Sequence, residues 1–109
     1  MSIGAFVANP ISDEERKFYL PISSERFFNS HWLPGCKLLN LSWIPCFSNG
    51  IIINKDSFPE VMIEINQLKI WAIENLEGKE LDYMIKRIDL SIAQLPLVFN
   101  RDGASVYIG

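Results

Sequence analysis

Between residues 57 and 96 the apolar positions recur at helical spacing, whereas elsewhere they alternate or fall in short runs. Val61, Ile65, Leu68, Ala72 and Leu76 share one stripe of a helix. Ser57 followed by Glu60 has the pattern of a capping box, with Pro59 in the first turn. Gly78 ends this helix. A second begins near Glu80, with Leu81, Met84, Ile85, Ile88, Ile92 and Leu95 as its stripe and Pro96 as its stop. So short a connection makes the two helices antiparallel neighbours.

The remaining elements are shorter. The first fifteen residues read as a polar start without an element of their own. RKFYLPI (16–22) alternates, which predicts a strand with Phe18, Leu20 and Ile22 on its buried side and Pro21 at a sheet edge or end. SSERFFNSHWL predicts a short helix capped by Ser23 or Ser24 and stopped by Pro34-Gly35. KLLNLSWIPCF (37–47) alternates again through Leu39, Leu41, Trp43 and Phe47, with Pro45 as a bulge or edge position. Asn49-Gly50 then leads into GIIIN, so this region predicts a central β-hairpin. A turn at Asp102-Gly103 leads into a last strand, ASVYI. Together these elements predict an α+β fold. It has about four strands in an antiparallel or mixed sheet, an antiparallel helical hairpin on one face, and one additional short helix.

Composition narrows this picture. A 109-residue chain, 49% apolar, forms one domain (1–109) that needs neither a metal nor a disulfide to fold. The N-terminal residues lack the pattern of a signal peptide, and no apolar run is long enough to span a membrane. A cytoplasmic protein with free thiols at Cys36 and Cys46 is therefore expected. The net charge of −3 is unevenly spread: residues 56–89 hold eight acids and four bases, the rest five acids and six bases. A basic partner suits this distribution, and direct nucleic-acid binding does not.

HWLPGCKLLNLSWIPCF (31–47) contains the only histidine, both cysteines and two of the three tryptophans. A zinc site needs four ligands at close spacing, and here a single histidine accompanies two cysteines ten residues apart. A thiol nucleophile needs a base and an orienting third group, and nothing beside Cys36 or Cys46 would lower a thiol pKa. The cluster reads as core, with both cysteines acting as small hydrophobes. Glu60/Glu64 and Glu80/Asp82 are carboxylate pairs; Glu60 and Glu64, one turn apart, fit a solvated helix face better than an acid–base dyad. No catalytic, cofactor-binding or metal-binding residue is predicted.

Each helix carries an apolar pair opposite its core stripe: Ile63 and Ile70 on the first, Tyr83 and Leu90 on the second. Either another element covers them, such as the N-terminal residues or the short helix, or they belong to a partner surface or a self-association surface. Trp71 lies at the boundary of the acidic face.

FYLPISSERFF, HWLPG, LSWIP, a hairpin, the two amphipathic helices and the final VYIG together resemble bacterial immunity proteins, in particular the cognate inhibitors of contact-dependent growth inhibition toxins. The resemblance runs through most of the chain from residue 17. It implies a non-catalytic protein that neutralises a toxin domain, often a basic nuclease, by blocking its cleft. The predicted contact region is Glu74, Glu77, Glu80, Asp82 and Tyr83, where acids gather at the helix–helix turn beside an aromatic anchor. The alternatives are a small enzyme using His31 with Cys36 or Cys46, and a housekeeping adaptor or subunit domain using the same helical face.

Overall fold

The computed structural model describes residues 1–109. Four strands, β1 (Ser2–Val7), β2 (Leu20–Ser24), β3 (Ile51–Asn54) and β4 (Ser105–Ile108), form one antiparallel sheet in the order β2-β1-β4-β3. The helices are α1 (Asp13–Lys17), α2 (Glu25–Phe27), α3 (Leu33–Leu39), α4 (Phe58–Asn75) and α5 (Gly78–Val98). The α+β class, the antiparallel sheet and the helical hairpin match the sequence expectation.

The inward positions of the strands, Ile3, Ala5, Val7, Leu20, Ile22, Ile53, Val106 and Ile108, are all buried. Val61, Ile65, Leu68 and Ala72 of α4 and Met84, Ile88 and Leu95 of α5 pack with them in a single core. The two predicted stripes are therefore the faces that the helical hairpin turns to the sheet. Leu76, Leu81, Ile85 and Ile92 flank that core half-buried. The hairpin turns through Leu76 and Glu77 in extended conformation and Gly78 at φ +63°, a left-handed value that glycine adopts at little cost.

Several expectations are corrected. The N-terminal residues are not a featureless start: β1 lies between β2 and β4, in the middle of the sheet, and leaves the outer apolar pair of α4 uncovered. The strand predicted from residue 16 begins at Leu20, because Arg16 and Lys17 belong to α1, whose cap is the Ser12 hydroxyl accepting from the Glu15 N–H. Pro21 does lie on an edge strand. Ser24 caps α2 by accepting from the Phe27 N–H, but Pro34-Gly35 does not stop the helix. The helix passes through a π turn (Phe28–Trp32), in which the Leu33 N–H donates to the Phe28 carbonyl, and continues as α3. The wider turn shifts the bonding frame just before Pro34, which has no N–H to donate. Asn40, at φ 56°, then closes the helix, its N–H reaching the Cys36 and Lys37 carbonyls.

The predicted central hairpin is absent. Residues 37–39 are helical, Ile44–Ser48 is a 3-10 helix, and β3 pairs with β4 rather than with the segment before it. Pro45, read as a break in a strand, occupies the first turn of that 3-10 helix, where a missing N–H costs nothing. Pro96 lies inside α5, whose end is only two residues further on. The Ser57–Glu60 capping box is not formed either. The Ser57 hydroxyl instead accepts from the Asn54 N–H, while the Ser57 N–H donates to Asn54 Oδ1.

Gly35 permits the close approach of α3 to α4. A Cβ there would lie 2.5 Å from the Trp71 ring and 2.8 Å from a Leu68 methyl. Trp71 is thus half-buried under α3 rather than at the edge of an acidic face.

Ile88 lies at the centre of the core with no exposed surface. Ile88→Ala is expected to cost about 2–5 kcal/mol, from lost burial and the residual cavity. Denaturant unfolding measures this, and a loss below about 1 kcal/mol would contradict a central position.

Candidate functional site

The residues that suggested chemistry are occupied in building the fold. His31 lies in the π turn with its ring against Phe27, centroids 4.4 Å apart. Trp32 is buried. Cys36 is buried as well; loss of solvation first, and the nearby Glu64 charge second, push its thiol pKa up to about 12. Such a thiol stays protonated at neutral pH and is a poor nucleophile. Cys46 does not behave as the small buried hydrophobe expected. It is exposed, with its Sγ 3.6 Å from the Ser42 carbonyl. No group of three or more His, Cys, Asp or Glu side chains is placed to hold a metal ion.

Glu60 and Glu64 are neither a dyad nor a freely solvated pair. Glu64 Oε1 accepts from the backbone N–H groups of Trp43 (2.9 Å) and Ile44 (3.1 Å), and its Oε2 accepts from that of Ser42 (2.9 Å). Glu60 Oε2 accepts from Trp43 Nε1 at 3.0 Å. Three consecutive amides at the start of a 3-10 helix have no partners within that helix. A carboxylate from α4 supplies one from twenty residues away, through bonds strengthened by its charge. This is a helix cap delivered across the fold, and it pins the 41–48 segment against α4.

The predicted contact residues lie together at one end of the helical hairpin. Glu74, Glu77, Glu80 and Asp82 are all exposed there, with Lys79 among them. Tyr83 differs from its neighbours. Its ring packs edge-on against Phe27 (4.6 Å), its hydroxyl accepts from the Ser24 N–H at 3.2 Å, and the Arg87 guanidinium lies 5.3 Å over the ring. Burial alone would raise the phenol pKa, but the Ser24 amide and the Arg87 charge outweigh it and leave the value below normal. Leu90 is half-buried against the core. The short helix therefore covers Tyr83, and the outer pair of α5 is not a free surface.

The outer pair of α4 is free. Ile63 and Ile70 are 59% and 60% exposed, and Ile73, which the sequence reading did not single out, is 54% exposed. These three isoleucines share the solvent face of α4 with Asn66, Gln67, Glu60 and Glu74. The only base on the helix, Lys69, is held by Asp89 of α5 at 2.7 Å. The solvent side of α4 is thus an apolar stripe with acids at its margin and no free cation. Ile73 was legible in principle: it lies three residues beyond Ile70, on the side away from the core stripe.

A second surface also escaped the sequence reading. The outward residues of the sheet include Phe6, Tyr19, Pro21, Ile52 and Tyr107, and none of the ten basic and thirteen acidic residues lies in a strand. Without β1 recognised, this face could not be assembled from the alternation alone.

No protein-family model, curated protein or solved structure matches this chain. The fold defines the class, a small α+β domain with one four-stranded antiparallel sheet and a helical hairpin on one side.

Two outcomes test this assignment of roles. Glu64→Ala should destabilise the fold by about 2–3 kcal/mol, the scale of losing hydrogen bonds to a charged group. Equilibrium unfolding reads it, and a change below about 0.5 kcal/mol would mean that water replaces the carboxylate without loss. A chromogenic disulfide reagent at mildly alkaline pH should titrate Cys46 rapidly and Cys36 only after denaturation. Fast reaction of both thiols in the native protein would contradict the burial of Cys36.

Proposed function

We propose that this protein is a non-catalytic cytoplasmic immunity protein, which binds a basic toxin domain through the acid-rimmed outer face of α4 and the α4–α5 turn. The observation that carries the reading is the set of exposed isoleucines on α4 beside Glu74 and the turn acids Glu77, Glu80 and Asp82. An interface needs apolar anchors for affinity and charge for steering, and this end of the hairpin offers both. Because Tyr83 is held by Phe27 and Ser24, the anchoring role falls to Ile70 and Ile73. A nuclease cleft is basic because it binds phosphates, so an acidic surface of this kind can occupy it with fast association. The high pKa of Cys36 and the structural use of Glu60 and Glu64 favour binding over an enzyme built on His31 and a cysteine. No helix is long and apolar enough to cross a membrane.

The test is binding kinetics and cell survival with the toxin domain encoded beside this protein. Joint replacement of Glu77, Glu80 and Asp82 by lysine should slow association by about tenfold or more at low salt, with the deficit shrinking at high salt. Joint replacement of Ile70 and Ile73 by serine should instead speed dissociation. Wild-type kinetics and full protection in both variants would place the interface elsewhere. The absence of any toxin partner would remove the reading.

A further inference from the structure

We propose that the uncovered face of the sheet is a self-association surface, on which a second copy of this chain stacks. The helical hairpin covers one side of the sheet. The other presents Phe6 of β1 (42% exposed), Tyr19 just before β2 (55%), Ile52 of β3 (60%) and Tyr107 of β4. Phe6 and Tyr107 are cross-strand partners with ring centroids 5.1 Å apart, and Ile52 pairs with Tyr107 from the other side. The tyrosines lie down on the sheet. A Cβ at Gly4 would meet the Tyr19 ring at 2.3–2.6 Å, and one at Gly109 would meet the Tyr107 ring at 2.6–2.8 Å. Glycines under flattened rings give a level apolar surface, the shape that sheet-on-sheet packing uses.

Charge selects the occupant. Every strand is free of Asp, Glu, Lys and Arg. Nucleic acid and anionic lipid surfaces are bound through basic groups, and the strands have none to offer. The chain carries a net charge of −3, so two copies repel wherever their acidic surfaces meet. In a two-fold interface each patch meets its own copy, and a patch without charge is the one that meets itself without repulsion.

The size of the face sets the strength. Four strands about 4.8 Å apart, each about five residues long, give a plan of roughly 19 by 17 Å. With the relief of the side chains, two stacked copies remove on the order of 1,000 Å² from water, the lower bound for a specific interface. The association is therefore weak and depends on concentration. It is independent of the toxin-binding reading, because it uses the opposite side of the molecule.

Sedimentation of the full chain, from micromolar to sub-millimolar concentration, tests the proposal. The weight-average mass should rise above 12.5 kDa towards twice that value, and high salt should leave the rise intact or strengthen it. Phe6→Lys and Ile52→Lys, each checked for native circular dichroism and thermal midpoint, should remain monomeric throughout. An equimolar mixture of Ile52→Lys and Ile52→Glu that associates again would support the same surface. Monomeric wild type at every concentration would overturn the proposal and leave the face to a different protein. A dimer dissolved by salt, or one equally strong in both folded lysine variants, would also overturn it.

Discussion

The antiparallel pairing of β1 with β4 is the contact on which the rest of the molecule depends. β2 joins the sheet only through β1, and β3 only through β4. The pairing sets Ala5 beside Ile108 and Val7 beside Val106, which makes one continuous apolar floor. Only such a floor gives α4 and α5 a shared surface for their stripes. Gly4 and Gly109 extend the junction by exchanging backbone hydrogen bonds of 3.2 and 3.0 Å. Without this pair the sheet would separate into two isolated strand pairs, β1–β2 and β3–β4, neither with a face wide enough to bury two long helices.

The strands carry no charged residue, so all the charge lies on the helices and loops. Some of those charges then become structural. Glu64 caps the 3-10 helix, Glu60 holds Trp43, and Arg101 reaches Glu15 at 2.8 Å and the Asn9 carbonyl, tying α1 to the far end of the sheet. Four of the acids without such work, Glu74, Glu77, Glu80 and Asp82, gather at the α4–α5 turn, beside isoleucines that the core does not use. One end of the hairpin is therefore both acidic and apolar, and the proposed function rests on that surface.

Local and periodic features were legible in the sequence. The stripes of α4 and α5 follow from spacing, β3 from a run of isoleucines, and β4 from a turn followed by alternation. β1 was hidden because Gly4 and Ala5 are weak strand signals, and its place in the sheet comes from two long-range pairings. The 31–47 segment misled because its apolar spacing fits a strand while its controls are non-local or unusual. A π turn carries the helix past Pro34, Asn40 ends it in the left-handed region, and a carboxylate from α4 caps the 3-10 helix. The acids of the candidate surface were visible and are exposed. That Tyr83 is covered depends on Phe27, fifty-six residues away in the chain, which no helical periodicity could reveal.

Hydrogen–deuterium exchange, on the protein alone and mixed with a toxin domain of the kind proposed, tests the central proposal most directly: that the outer face of α4 and the α4–α5 turn are the working surface and the 31–47 cluster is scaffold. Peptides covering residues 63–82 should gain protection in the mixture, while those covering residues 31–47 exchange as in the free protein. Protection confined to residues 31–47, with the hairpin unchanged, would contradict it.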